Sequence, residues 1–374
     1  MKGPSTATEN LMLCLINPGA KKGEIETLLA DEIDWKDFQE KSYAHRIAPL
    51  IYYNLKKLDL LFVVPKTVIH TLERTYVYTL KTNIMFGEEL KGILANFHDR
   101  GISCIILKGL AFIETIYHEN PGVRPLKDMD LLLRKEDVKK AGLVLKEMGY
   151  QLYEGYRPEA FYWESHFHLP FQKRGKSTHF HVEIHWHLLE PGIPVSLDVK
   201  SFWHRAVETV FLGAKANTLH PEDALIYLIW HTSLNGFDEL LSFADLLYLI
   251  KYHSPSRNEV IKQMKDAHLT IPLYWGSYIT SELFNLDLVP TPRIDPLSKI
   301  FGKVFFTKKN MMEQFVRSDW PILPLVHLFM FENKLYGVKN IFDRVPPFPG
   351  GLKVMVHYVC CFMRIWLRYV QARG

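Results

Sequence analysis

Two aspartates separated by a single residue, Asp128 and Asp130, stand at the start of a short apolar segment that ends at Leu133. On a β-strand, residues two apart project from the same face, so both carboxylates lie together while Met129 points into the core. Two like charges this close repel each other, and a nearby cation relieves the repulsion. Mg²⁺ prefers hard oxygen ligands, commonly one or two carboxylates together with phosphate oxygens. The pair indicates a magnesium site, and two solvated acids at a strand edge are the alternative.

A second group of polar side chains lies between residues 179 and 188, where polar and apolar residues alternate as in a half-buried strand. Its polar face carries one carboxylate and four histidines: Glu183, His179, His181, His185 and His187. If this strand lies beside that of Asp130, Glu183 is a third carboxylate for the same metal ion. His181 and His185 are candidates for orienting Glu183 or a bound molecule. A solvated histidine-rich face is one alternative, and a Zn²⁺ site built from the imidazoles is another.

The junction Lys108-Gly109 follows a β-branched apolar segment, residues 102–107, and precedes a helical segment that begins at Leu110. Glycine lets backbone N–H groups approach an anion closely, and the N-terminus of a helix adds partial positive charge. Lys108 can contact the same anion, and Arg124 can clamp a phosphate through two hydrogen bonds. The sequence thus predicts a phosphate-binding turn, whereas a tight turn and a surface arginine are the structural alternatives.

These residues need a sheet to position them, and strand patterns occur only in the middle of the chain. Helical periodicity dominates from about residue 23 to 96 and again from about residue 220. Four segments between them are typical of strands: residues 102–107, 128–133, 166–173 and 178–188, the last two joined by a hairpin turn. We predict an α+β protein whose small mixed β-sheet core, residues 99–215, lies between an N-terminal helical region, residues 1–98, and a C-terminal helical region, residues 216–374.

A predicted helix near the end of the sequence, residues 352–370, follows a proline- and glycine-rich linker at residues 346–351. One face of this helix carries four basic residues: Lys353, His357, Arg364 and Arg368. Their spacing of 4, 7 and 4 residues is helical. A solvated cationic stripe is the simpler interpretation, and contact with an anionic acceptor or a membrane surface is the functional one.

The composition excludes several classes of protein. The chain has 374 residues, of which 48% are hydrophobic and 23% charged, as in ordinary globular proteins. A net charge of +4 is too small to indicate nucleic-acid binding through the overall field. No apolar stretch reaches the roughly 20 residues of a membrane span, and the first apolar run, residues 11–16, is too short for a signal peptide. Four cysteines without a CxxC pair suit a reducing compartment, so a cytoplasmic protein is expected.

Together these motifs resemble a known family. Three strings are similar to signatures of the uncharacterised-type nucleotidyltransferase family of the DNA polymerase β-like superfamily: Ile106-Leu107-Lys108-Gly109, Arg124-Pro125-Leu126-Lys127-Asp128-Met129-Asp130 and Glu183-Ile184-His185-Trp186. The resemblance, which covers about residues 25–250, implies a core in which Asp128 and Asp130 bind two Mg²⁺ ions, or Mn²⁺, and Glu183 holds the ion that activates the acceptor. It also implies a nucleoside triphosphate at Lys108 and Gly109, where the wider superfamily usually has Gly-Ser, and Arg124 beside it.

The function that this resemblance implies is transfer of a nucleoside monophosphate from a nucleoside triphosphate to a hydroxyl group. ATP is expected to bind as the nucleoside triphosphate. Pyrophosphate leaves, and the acceptor is a small molecule, a peptide or a protein that the sequence does not identify. A non-catalytic nucleotide-sensing or partner-binding module on the same fold is the alternative, and a His-based zinc enzyme is a further one. Neither a nucleic-acid partner nor a transmembrane segment is expected.

Overall fold

The computed structural model describes residues 4–117, 120–153, 158–175, 178–211, 213–313 and 322–337. The chain forms two compact units. The first contains residues 1–193, 197–228 and 239–256, and the second contains residues 194–196, 229–238 and 257–374. All residues of the predicted site belong to the first unit. The region boundaries placed at residues 98 and 215 stay a prediction.

The N-terminal part of the first unit is helical, as the periodicity predicts. Its helices are α1 Pro4–Ile16, α2 Lys22–Leu29, α3 Trp35–Ala44, α4 Ala48–Lys57 and α5 Lys66–Asp99, with a 3₁₀ turn at Leu61–Val63 before α5. Helix α5 is a single helix of 34 residues, along which buried residues such as Leu90, Leu94 and Phe97 recur three and four apart. These side chains share one hydrophobic core with the sheet, so α5 forms a layer behind it.

Within the described residues, seven strands form one mixed sheet. The strands are β1 Cys104–Ile106, β2 Met129–Leu133, β3 Gln151–Leu152, β4 His168–Arg174, β5 His179–His185, β6 Val207–Phe211 and β7 Ala214–Thr218. Their order in the sheet is β3-β4-β5-β2-β1-β7-β6. Strand β2 runs parallel to β5 and antiparallel to β1, while β1 runs parallel to β7. The α+β prediction is confirmed, and the four predicted strands correspond to β1, β2, β4 and β5.

Short helices connect the strands. They are α6 Lys108–Thr115, α7 Val138–Glu147, α8 Glu159–Ser165 and α9 Val199–Arg205, with a 3₁₀ turn at Lys135–Asp137 before α7. Helix α7 buries Val138, Ala141 and Leu145, which lie three and four residues apart on one face of the helix. The sequence did not indicate β3, β6 or β7, and the last two form an antiparallel hairpin next to β1.

After the sheet the chain is helical again, as predicted. The helices are α10 Pro221–Leu234, α11 Leu240–His253, α12 Arg257–Asp266, α13 Thr270–Phe284, α14 Pro296–Phe305, α15 Lys308–Glu313 and α16 Ile322–Phe329. In the second unit, Trp275 packs against Phe301 and Phe306, with ring centroids 5.4 Å apart in both pairs. No described helix combines the length and the apolar character that crossing a membrane requires. The predicted basic helix at residues 352–370 and the linker before it lie outside the described residues.

Candidate active site

Three carboxylates come together where β2 begins. Strands β2 and β5 lie side by side and parallel, with Asp130 opposite Glu183 in the register. Asp128 precedes β2 directly, close enough to both for their charges to act on it. The apolar neighbours Met129 and Val182 are buried, and a slip of one residue would exchange the two faces, so burial holds this register. The strand of Glu183 thus lies beside that of Asp130, which is the condition on which Glu183 was expected to be a third carboxylate.

Asp130 is the most enclosed of the three, because only 3% of its side chain is exposed and two basic side chains contact it. Lys108 Nζ lies 3.0 Å from Asp130 Oδ2, and His185 Nε2 lies 3.0 Å from Asp130 Oδ1. Burial raises the pKa of Asp130, but the charge of Lys108 and the hydrogen bond from His185 outweigh burial and hold that pKa well below its usual range. Asp130 is therefore an ionised carboxylate between the Lys108 ammonium and the His185 imidazole, both of which favour its charged form.

The same contacts stabilise the charged forms of the partners. Burial alone lowers the pKa of Lys108, but the charge of Asp130 outweighs it and raises that pKa overall. Burial likewise lowers the pKa of His185, and its hydrogen bonds to Asp130 and Glu183 more than reverse this effect. His185 Nε2 lies 3.3 Å from Glu183 Oε2. The pKa of Glu183 is raised by burial and lowered, on balance, by the hydrogen bond from His185.

The negative charge of Asp128, unlike that of Asp130, is not fully balanced by the basic side chains around it. The charge of Asp130, and then burial, raise the pKa of Asp128 to about 6, because Lys108 offsets them only in part. A divalent cation beside Asp128 would relieve this repulsion. The three carboxylates supply the oxygen donors that Mg²⁺ prefers and that Mn²⁺ also accepts. The residues present therefore fit a magnesium ion held by Asp128, Asp130 and Glu183.

The predicted phosphate-binding turn lies directly beside these carboxylates. The backbone N–H of Leu107 donates to the carbonyl oxygen of Asp130 at 2.9 Å, which ties the end of β1 to β2. The two residues that follow have positive φ, +39° at Lys108 and +20° at Gly109. A Cβ atom on Gly109 would lie 3.0 Å from Leu126 Cδ2, so the loop before β2 packs closely against this turn. Glycine is required here by both the backbone conformation and the space.

We expect the Gly109→Ala variant to unfold about 1–3 kcal/mol more easily than the wild type, because alanine is strained at this φ and crowds Leu126. Urea denaturation measures the difference. Gly149→Ala is the matched control, since Gly149 also has positive φ, +88°, but no atom lies within 4 Å of its Cβ position. Equal losses in the two variants would contradict the close packing of the loop on the turn.

Arg124, predicted as a phosphate clamp, forms a buried ion pair with Asp245 of α11. Its Nε lies 3.0 Å from Oδ1 of Asp245, and its Nη2 lies 2.8 Å from Oδ2. The hydroxyl of Tyr117 donates to the same Oδ1 at 2.7 Å. Two nitrogens of the guanidinium group are thus engaged by Asp245, while Nη1 lies 3.8 Å from the Cβ position of Gly109. The role of Arg124 in nucleotide binding stays a prediction.

The loop that carries Arg124 is held from two further sides. Asn83 of α5 donates from Nδ2 to the carbonyl oxygens of Pro121 and Arg124, at 2.6 and 2.7 Å. Arg46 donates to the carbonyl oxygen of Pro125 at 2.9 Å and pairs with Glu239 at 3.0 Å. The loop that leads into Asp128 is therefore held by Arg46 and Asn83, which precede the sheet in the sequence, and by Asp245, which follows it. The sequence did not indicate these contacts.

The histidines of β5 have different environments. His185 is 3% exposed and contacts Asp130, whereas His181 is only partly buried and packs edge-to-face with Tyr153, ring centroids 6.5 Å apart. The structure adds His168, which stands directly opposite His185 in the β4–β5 pairing. Burial, followed by the charge of His185, lowers the pKa of His168 to about 4. The sequence could have identified His168, because the predicted hairpin turn sets the register of β4 against β5 and so determines which residue lies opposite His185.

A cavity of about 160 Å³ lies on another side of Lys108. Most of its lining is apolar and comes from the sheet and the helices α6, α10 and α11, including Ile106, Phe112, Leu219 and Leu249. The Lys108 ammonium lies 5.7 Å from the ring centroid of Tyr227, which also lines the cavity. Lys108 therefore stands between the carboxylates and a largely apolar space that can shield a bound group from water.

The structure thus brings the three carboxylates and the lysine–glycine turn together in one mixed sheet, as the resemblance implies. A family model described as an uncharacterised nucleotidyltransferase matches residues 31–285, which include every residue of the site. The chain belongs to this family, and the resemblance drawn from its motifs is confirmed. A comparison with curated proteins gave no match.

Proposed function

We propose that this protein is a Mg²⁺-dependent nucleotidyltransferase that transfers a nucleoside monophosphate from a nucleoside triphosphate to an acceptor hydroxyl. The observation that carries the proposal is the pairing of Asp130 with Glu183 across two parallel strands, with Asp128 beside them. Three converging carboxylates serve poorly as packing and well as cation ligands. The membership of a nucleotidyltransferase family supports the reaction class.

Asp128, Asp130 and Glu183 are the residues that would hold the metal, and Mn²⁺ suits the same oxygen atoms. Bound there, the metal supplies positive charge to the phosphate oxygens as charge develops in the transition state. The protein contributes further positive charge through Lys108, which lies 3.0 Å from Asp130 and next to the Gly109 turn. Such fixed charges lower the barrier because they need no rearrangement during the reaction.

In the proposed reaction, the acceptor hydroxyl oxygen bonds to the α-phosphorus, and the bond from that phosphorus to the oxygen bridging the α and β groups breaks. Pyrophosphate leaves with the electrons of that bond. The hydroxyl proton passes to Glu183, whose side chain is 29% exposed and can be reached, whereas Asp130 is only 3% exposed. His185 orients Glu183 through the contact at 3.3 Å.

The test is calorimetric titration of the wild-type protein with ATP, GTP, CTP and UTP, each in Mg²⁺ and in EDTA. We expect at least one nucleotide to bind in Mg²⁺ and to bind at least about 10-fold more weakly in EDTA, because the triphosphate would then face three carboxylates whose charges Lys108 and His185 offset only in part. Binding of equal strength in both conditions would favour the nucleotide-sensing alternative. The absence of binding to all four nucleotides would contradict the proposed function.

A further inference from the structure

A second set of ligand atoms lies at the Glu183 side of the site. His168 of β4 and His185 of β5 stand opposite each other, and Glu183 is two residues before His185. One ligand atom from each of the three residues can be chosen so that all lie within 4.8 Å of one another. Glu183 Oε2 lies 3.3 Å from His185 Nε2 and 3.7 Å from His168 Nε2.

These separations suit a tetrahedral metal ion. Ligand bonds of about 2.0–2.2 Å at a tetrahedral Zn²⁺ place the ligand atoms about 3.3–3.6 Å from each other. The two separations from Glu183 lie at or just beyond this range, and the two histidine ligand atoms lie within 4.8 Å of each other, so side-chain rotation would have to draw the histidines together around the ion. Three protein ligands also leave one position open, as in catalytic rather than structural zinc sites.

Among the described residues the imidazole of His168 packs against the rings of His166, Phe167 and His185 but forms no hydrogen bond. Its Nδ1 is buried without a hydrogen-bond partner, and its Nε2 is too far from Glu183 for a hydrogen bond. The Nδ1 of His185 is buried without a partner as well. A polar ring that is 15% exposed and unbonded costs stability, and an apolar side chain would fill the same space without that cost. An ion between the two Nε2 atoms and Glu183 would give His168 a partner and would replace the proton through which His185 Nε2 contacts Asp130 and Glu183, while both Nδ1 atoms would stay unpaired.

We propose that His168, Glu183 and His185 bind a divalent transition metal of the Zn²⁺ class, next to the Mg²⁺ ligands Asp128 and Asp130. Imidazole nitrogens favour Zn²⁺ over Mg²⁺, which takes oxygen ligands. Glu183 is common to both sets, so the inference deepens the proposed function and rests on it for the reaction that the ion serves. Binding of the ion itself needs neither nucleotide nor acceptor.

The experiment titrates EDTA-treated, dialysed protein with ZnCl₂ in a calorimeter, without nucleotide, and records the visible absorption of the Co²⁺-loaded protein. We expect one Zn²⁺ per chain and a Co²⁺ spectrum of a tetrahedral site. His168→Ala should weaken Zn²⁺ binding by at least about 100-fold and remove that spectrum, because a ligand is lost. His179→Ala is the matched control, since His179 shares the strand face of Glu183 but is exposed and outside the cluster, and it should bind like the wild type.

Two further variants keep the test independent of folding and of the proposed function. Glu183→Gln preserves the shape of the side chain and should also weaken Zn²⁺ binding, while circular dichroism checks that each variant is folded. Asp128→Asn should retain Zn²⁺ binding. If this variant loses Mg²⁺-dependent nucleotide binding, the inference of a zinc site is therefore unaffected. Zn²⁺ binding of equal strength in the wild type and in folded His168→Ala, or none in the wild type, would overturn the inference.

Discussion

Replacing Asp128 by asparagine should make the protein more stable and remove its activity. The charge of Asp130 and burial raise the pKa of Asp128, so its ionised form opposes folding at neutral pH. Asparagine keeps the shape and removes the repulsion, and we expect the free energy of unfolding to rise by about 1 kcal/mol in the absence of metal. Mg²⁺-dependent pyrophosphate release should fall at least about 10³-fold, because in the proposed reaction several kcal/mol of transition-state stabilisation come from the metal that Asp128 is proposed to hold.

Opposite changes in stability and activity are typical of a residue kept for function at a structural cost. Urea denaturation in EDTA measures the first effect, and pyrophosphate release, or nucleotide binding until the acceptor is known, measures the second. Asp99→Asn is the matched control, because it removes the same charge from the exposed end of α5 and should change neither quantity appreciably. A destabilised but active Asp128→Asn protein would indicate that the carboxylate is structural and would contradict the proposed site.

The elements that position the carboxylates could be predicted because their patterns are local. In β5, apolar and polar residues alternate, so buried Phe180, Val182 and Ile184 lie on the face opposite to Glu183. The type of each residue therefore indicates the face on which it lies. Strand β2 is equally clear in the sequence, because four of its five residues are apolar, and all five are buried in the structure. By contrast, β6 does not alternate, because Val207 and Val210 are exposed and only its last residue is buried. Strand β7 alternates, but its buried residues, Ala216 and Thr218, are small and give only a weak apolar signal. These strands are defined by pairing with each other and with β1, which no local pattern reveals.

The charged contacts of the site could not be predicted in the same way, because the partners are distant in sequence. Lys108 and Asp130 are brought together by the antiparallel pairing of β1 and β2, and Arg124 meets Asp245 from a helix 121 residues away. The sequence still contained a signal for the second pair. Asp245 is the only carboxylate of α11, a helix whose other residues up to Ile250 are otherwise mainly apolar. Carboxylates in such a setting are almost never buried unless paired, so a basic partner was to be expected.

That pair leads to the largest stability effect we expect. The side chain of Asp245 is 1% exposed and that of Arg124 is 12% exposed, so both charges are largely removed from water. Asp245→Ala would leave the guanidinium group buried without a counter-charge and the Tyr117 hydroxyl without its acceptor. We expect the free energy of unfolding to fall by about 3–5 kcal/mol, as when one partner of a buried ion pair is removed. Urea denaturation measures the change.

The double variant Arg124→Met with Asp245→Leu separates the charge effect from a general loss of packing. It removes both charges and fills their space with apolar atoms, so most of the lost stability should return, apart from the share of the unbonded Tyr117 hydroxyl. Nucleotide binding should stay impaired in both variants, because the loop that leads into Asp128 loses its contact to α11 while keeping those of Asn83. A double variant as unstable as Asp245→Ala would contradict the ion-pair explanation, because the defect would then lie in packing around α11.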